Sequence, residues 1–162
     1  ELELRKNIFS RFNTEREQMN RLSAGLNASY IYTNLELSIL NTNPRNSGLE
    51  GASPFLMNCD LSYSYTKQEK SLIASLIFNY FSNRIHTIGA GGYNDIIEEG
   101  VATLDFAASY KFNKYFSLKA KASNLLNPTY RLTRESSSTT ESLVLNEFKK
   151  GQNISLGVSY EF

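Results

Sequence analysis

The chain has 162 residues, 41% hydrophobic and 20% charged, with a net charge of +1, one histidine and one cysteine. That balance excludes a strongly basic nucleic-acid surface and an acidic tail, and a lone cysteine excludes an internal disulfide. No stretch approaches the eighteen or more apolar residues of a membrane helix, and no basic segment leading into an apolar core marks a secretory signal; barrel strands escape that test, because half of each is polar.

Residues 1 to 9 carry a weak alternation of Leu2 and Leu4, and the charged segment from Ser10 to Asn20 reads as a connection. Leu22, Ala24, Leu26, Ala28, Tyr30 and Tyr32 then oppose Ser23, Gly25, Asn27 and Ser29. A period of two is the signature of a strand with one apolar and one polar face. The same pattern sets Met57, Cys59, Leu61, Tyr63 and Tyr65 against Asn58, Asp60, Ser62 and Ser64. After Thr66 to Lys70 it resumes with Leu72, Ala74, Leu76, Phe78 and Tyr80. Here the opposite face is mixed, with Ile73 and Ile77 among Ser75 and Asn79, so this strand is expected to touch something apolar on its inner side.

Leu104, Phe106, Ala108, Tyr110 and Phe112 oppose Asp105, Ala107, Ser109 and Lys111. A tight connection at Asn113-Lys114 leads to Phe116, Leu118, Ala120 and Ala122, opposite Ser117, Lys119, Lys121 and Ser123, and the two runs form a hairpin. The chain ends on Ile154, Leu156, Val158, Tyr160 and Phe162, opposite Asn153, Ser155, Gly157, Ser159 and Glu161. These are seven strands. Their connections alternate in length: 66 to 70 and 113 to 115 are short, whereas 41 to 53, 84 to 100 and about 126 to 150 are long, polar and at the other end, with Ser10 to Asn20 the exception.

Alternation strand after strand, with short turns at one end and long loops at the other, is what an outer-membrane barrel requires. On that reading Leu104, Phe106, Ala108, Tyr110, Phe112, Ile154, Leu156 and Val158 face lipid. Asp105, Ser109, Lys111, Lys119, Lys121, Ser159 and Glu161 face the lumen. A lysine or arginine at mid-membrane costs about 2–4 kcal/mol, and these apolar sets contain none.

The chain also resembles the carboxyl-terminal part of a TonB-dependent outer-membrane receptor, of the SusC-like and siderophore-receptor kind common in Bacteroidetes. The likeness is carried by Glu1-Leu2-Glu3-Leu4-Arg5-Lys6-Asn7, by Ser53-Pro54-Phe55-Leu56-Met57-Asn58, and by Asn124-Leu125-Leu126-Asn127-Pro128-Thr129-Tyr130-Arg131. At the end, Ser155, Gly157, Tyr160 and Phe162 resemble the terminal signal that the barrel-assembly machinery recognises. The resemblance implies a 22-stranded barrel filled by a plug, of which residues 1 to 162 supply about the last seven strands as part of a single barrel domain. The plug and the amino-terminal strands are not in the sequence, and a removed or upstream signal is expected. Implied partners are membrane lipid, the rest of the same barrel with its plug, the TonB system, the assembly machinery and a surface lipoprotein lid. The implied activity is energised uptake of a nutrient such as a siderophore or glycan across the cell outer membrane.

Sites of other kinds are weak. His86 has no Cys or carboxylate at ligand spacing and reads as a loop residue. Cys59 lies among the apolar positions and reads as a small hydrophobe. Gly89-Ala90-Gly91-Gly92 lacks the helix and Lys-Ser/Thr of a phosphate loop, and reads as an external loop. Asp95, Glu98 and Glu99 could hold a cation but are more simply solvated, and Ser136 to Thr140 is a polar loop tip with some scope to touch ligand or a lid. No Gly-x-Ser-x-Gly turn and no triad appear, so neither an enzyme nor a cofactor is called for. Two other readings remain. One is a small independent outer-membrane barrel or assembly-machinery client, against which the odd strand count stands. The other is a soluble antiparallel sandwich or ligand-binding barrel, which would need its apolar face covered by protein.

Overall fold

The computed structural model describes residues 1–14, 17–37, 45–136 and 142–161. It is all-β, with no helix among these residues. The strands are β1 (Leu2–Asn13), β2 (Gln18–Tyr30), β3 (Leu35–Leu37), β4 (Arg45–Ser47), β5 (Phe55–Lys67), β6 (Lys70–Phe81), β7 (Arg84–Thr87), β8 (Ile96–Glu98), β9 (Val101–Lys111), β10 (Phe116–Ser123), β11 (Thr129–Glu135), β12 (Ser142–Lys149) and β13 (Asn153–Tyr160).

A seven-stranded antiparallel sheet runs in the order β1-β2-β5-β6-β9-β10-β13, and its members are the seven strands that the alternation predicts. The register carries the alternation across the whole sheet. Leu22, Tyr63, Ala74, Ala108, Ala120 and Leu156 stand side by side in one row. Two residues along, Ala24, Leu61, Leu76, Phe106, Ala122 and Ile154 form the next. Side chains in one row of a pleated sheet share a face, so every apolar set joins every other. Ser23, Ser62, Ser75, Ala107, Lys121 and Ser155 stand in a row on the reverse face.

Strand β1 departs from the simple period. Its pairing with β2 shifts between Asn7 and Phe9, so that Ile8 is an extra residue. Such a bulge re-phases the strand, which is why the alternation in 1 to 9 is weak: Lys6, Phe9 and Arg11 lie opposite Ala24, Leu22 and Asn20 on the apolar face. Strand β1 thus brings two cations to a face whose other charges in the described strands of this sheet are Lys67 and Lys70, paired at the β5–β6 turn.

Three expectations about connections are corrected. Ser10 to Asn20 is mostly strand, since β1 runs to Asn13 and β2 begins at Gln18, which leaves only residues 14 to 17 as the connection, the same length as 112 to 115. The face that is apolar elsewhere carries Arg11, Asn13, Gln18 and Asn20 there, while Phe12 pairs with Met19 on the reverse, so the hydrophobic periodicity fails although the ladder continues. Residues 84 to 100 and 126 to 150 are not simply loops either. They contain β7, β8, β11 and β12, which form a second antiparallel sheet in the order β12-β11-β8-β7. These strands follow or precede β6, β9, β10 and β13 in the chain with the same neighbour order, so the four-strand stretch of wall resumes beyond a line of breaks. In the third long connection β3 pairs with β4, while residues 41 to 44 lie outside the described ones.

No second layer covers the main sheet. The only buried apolar residues among those described are Val101 and Tyr130, at the breaks and in the second sheet, and the accessible surface is 11418 Å². A folded monomer of 18.3 kDa is expected to expose about 8,100 Å². Strands β1 and β13 are the open edges of the sheet. An even number of antiparallel steps separates them, so they run in the same direction and cannot close an antiparallel ladder on each other.

Candidate functional site

The two faces of the main sheet are the chemistry this chain offers. On the apolar face Phe106, Ala108 and Tyr110 of β9 lie in register with Ala122, Ala120 and Leu118 of β10, and these with Ile154, Leu156 and Val158 of β13, while Leu104 of β9 stands beside Phe78 of β6. Phe112 follows β9 immediately, and its N–H donates to the carbonyl of Phe116 at 3.0 Å. Ile154 and Leu156 keep 72% and 76% of their surface exposed. Aromatic residues gather at both ends of this face. At the long-connection end Phe55 packs against Tyr80, with ring centres 6.3 Å apart. At the short-turn end Tyr110, Phe112 and Phe116 form a chain at 4.4 and 5.2 Å, Tyr115 stacks on Tyr160 at 6.2 Å, and Lys114 lies over the Tyr115 ring. Amphipathic rings at both margins of an apolar band suit a membrane interface.

The reverse face carries Asp105, Ser109 and Lys111 of β9, Lys119 and Lys121 of β10, and Ser159 of β13, while Glu161 lies just past β13 and its N–H donates to the Tyr115 carbonyl at 2.8 Å. Ser62 and Ser75 hydroxyls meet at 3.0 Å, and Asn27, Asn58, Asn79 and Thr103 form a polar row. A hollow of about 410 Å³ lies on this face, bordered by Ile73, Ser75, Ser109, Lys119, Lys121 and Ser155. Ile73 and Ile77 are 54% and 37% exposed on it. Gly25 belongs here for a steric reason, since a Cβ would run into the Asp60 carboxylate.

The breaks between the two sheets are built by asparagines. In Asn124-Leu125-Leu126-Asn127, Asn124 and Asn127 have φ of 58° and 44°, left-handed values that Asn tolerates better than most residues. The Asn124 N–H donates to Asp105 Oδ1 at 2.7 Å, and its amide to the Gly151 carbonyl at 2.6 Å. The Asn127 N–H closes the turn on the Asn124 carbonyl at 2.9 Å, and Asn127 Oδ1 accepts from the Gly151 N–H at 3.1 Å. On the neighbouring pair of strands Asn83 Oδ1 accepts from the Gly100 N–H at 2.7 Å, and Gly100 leaves no room for a Cβ against the Phe81 carbonyl and the Asn83 nitrogen. The sequence marks the Asn-Leu-Leu-Asn stretch as a place where a strand is left; it does not announce its bond to Asp105.

Beyond the breaks, Arg84 Nε donates to Glu98 at 2.8 Å and Arg131 Nε to Glu147 at 2.8 Å. The hydrogen bond to Glu147, with its charge, raises the Arg131 pKa above the ordinary value. Asp95 and Glu98 are engaged by the chain itself, since Asp95 accepts from the Gly89 N–H at 2.7 Å and Glu98 holds Arg84. Gly89 is buried, and Ala90 to Gly92 form an exposed turn with Gly91 and Gly92 at positive φ. His86 is corrected from loop to strand: it is an exposed residue at the bulge of β7. Cys59 is a free thiol between Leu26 and Phe78 on the apolar face. Of the terminal-signal residues, Ser155, Gly157 and Tyr160 lie on β13, and Phe162 lies outside the described residues, as do Ser137 to Thr140 of the loop tip. Gly157 has neither a positive φ nor a crowded neighbour, the nearest atom to a built Cβ being Lys119 Cβ at 4.0 Å.

No family model, curated protein or solved structure matches this chain.

Proposed function

We propose that this chain is a wall segment of an outer-membrane β-barrel of the TonB-dependent receptor kind, serving energised uptake of a nutrient such as a siderophore or glycan. One observation carries the reading. A single uncovered face six strands wide, from β2 to β13, is apolar from the Ala28–Met57–Tyr80 row to the Leu22–Tyr63–Ala74 row and meets charge only at its short-turn margin, in Lys67 and Lys70, while its reverse is mainly hydroxyl, amide and charge, with Ile73 and Ile77 among them. Water does not tolerate so large a bare apolar face on a monomer, and lipid does. In lipid every backbone group needs a partner, so the open edges call for further strands on both sides. The run from Met57 to Tyr65 rises about 26 Å along the strand, which at barrel tilt is about 20 Å of depth, near the height of an outer-membrane apolar band.

The aromatic margins and the short-turn and long-connection ends support the same orientation, with the turns on the periplasmic side. In this reading β13 is the closing strand, Ser155, Gly157, Tyr160 and Phe162 address the assembly machinery, and the reverse face meets lumenal water or a plug. The lipoprotein lid and the TonB system enter through the family resemblance alone. The test is the intact mass and membrane fraction of the native protein that contains this sequence. A mass several-fold above 18.3 kDa in outer-membrane material is expected. A soluble protein near that mass would withdraw the proposal.

A further inference from the structure

On the reverse face Asp60 lies 3.9 Å from Arg5 and Asp105 accepts from the Asn124 N–H at 2.7 Å, while Glu3 and Glu161 stand on β1 and just past β13. Lys119 and Lys121 have no ion-pair or hydrogen-bond partner among the described residues. Two residues apart on β10, they project from one face about 7 Å from each other. They border the hollow of about 410 Å³. The other polar side chains there are Ser75, Ser109 and Ser155, and no carboxylate lines it. Ala107 and Gly157, the strand partners of Lys121 and Lys119, line it as well.

We infer that this hollow is an oxyanion site, in which Lys119 and Lys121 clamp a carboxylate or phosphate and the serine hydroxyls of β6, β9 and β13 donate to it. Lysine and serine side chains bordering one open hollow supply positive charge and donors together, which is the recognition chemistry of an oxyanion. The inference deepens the wall reading, because it names what this stretch of the inner face holds. The oxyanion has two sources with the same chemistry, a carboxylate of the protein part seated against this face or a small solute anion.

The experiment uses the full native protein, first shown to fractionate with the outer membrane. Zero-length carbodiimide coupling joins an amine only to a carboxylate in contact with it. The expected result is a crosslink from Lys119 or Lys121 to an Asp or Glu outside these 162 residues, lost in the K119Q/K121Q double variant. Failing that, saturable slowing of amine labelling at both lysines by inorganic phosphate identifies a solute anion. Neither crosslink nor slowing, or a crosslink only to an acid within this chain, overturns the inference. With outer-membrane fractionation intact, that failure leaves the wall reading standing, whereas loss of fractionation removes the wall reading itself.

Discussion

Placing a lysine at Ala108 asks the apolar face what it touches. Ala108 stands in the middle row of that face, with Leu104 four residues toward one margin and Phe112 four toward the other, between Ala74 and Ala120. Four residues of strand span about 13 Å, more than a lysine can reach by stretching toward a margin. If the face meets lipid, A108K should cost about 2–4 kcal/mol. The control is its neighbour Ser109 on the reverse face, where S109K should stay within about 0.5 kcal/mol, as surface substitutions do. The difference between the two is the informative quantity, since both add the same side chain to adjacent positions of one strand. Denaturant unfolding of the native protein from vesicles measures it. Equal small costs would mean that both faces are wet, and the lipid-facing reasoning would fail.

Replacing Lys6 by leucine should raise stability by up to about 2–4 kcal/mol if β1 meets lipid in register with Ala24, and no gain in the same unfolding assay would place that strand's face elsewhere. Gly100→Ala should cost about 1–3 kcal/mol, because the new methyl meets backbone atoms of residues 81 to 83 that cannot step aside. Gly157→Ala should leave folded stability within about 0.5 kcal/mol, since the Cβ finds open space, yet slow assembly into membranes as the Tyr160 and Phe162 polar substitutions should; unchanged assembly kinetics would remove the signal assignment. Asp105→Ala strands the Asn124 N–H and should cost about 1–3 kcal/mol, read as loss of protease resistance at the 124 to 128 break.

The sequence made the main sheet legible because one face of its strands is apolar and the other mainly polar, so the period of two can be followed from strand to strand between Leu22 and Val158, with Ile73 and Ile77 of β6 the exceptions. It failed where that contrast fades. In β1 the bulge at Ile8 re-phases the pattern, and toward Asn13 and Gln18 the apolar residues, Phe12 and Met19, fall on the reverse face while the ladder continues. The second sheet was missed for a different reason. Its strands are short and laced with cross-strand ion pairs, as in Arg84–Glu98 and Arg131–Glu147, so charge masks the alternation of Tyr130 and Leu132 with Thr133. Thr129-Tyr130-Arg131-Leu132-Thr133 has strong strand propensity and could have been read as such. The oxyanion hollow was only half legible: Lys119 and Lys121 share a face by spacing alone, but that Asp105 is taken by Asn124 requires the three-dimensional pairing.

The most direct test of the wall is a pair of spin labels, one at Ala108 and one at Ser109, read in the native membrane with oxygen and with a water-soluble nickel complex. Adjacent residues on opposite faces should report opposite surroundings, oxygen-rich lipid for the first and water for the second. Water at both positions would contradict the account.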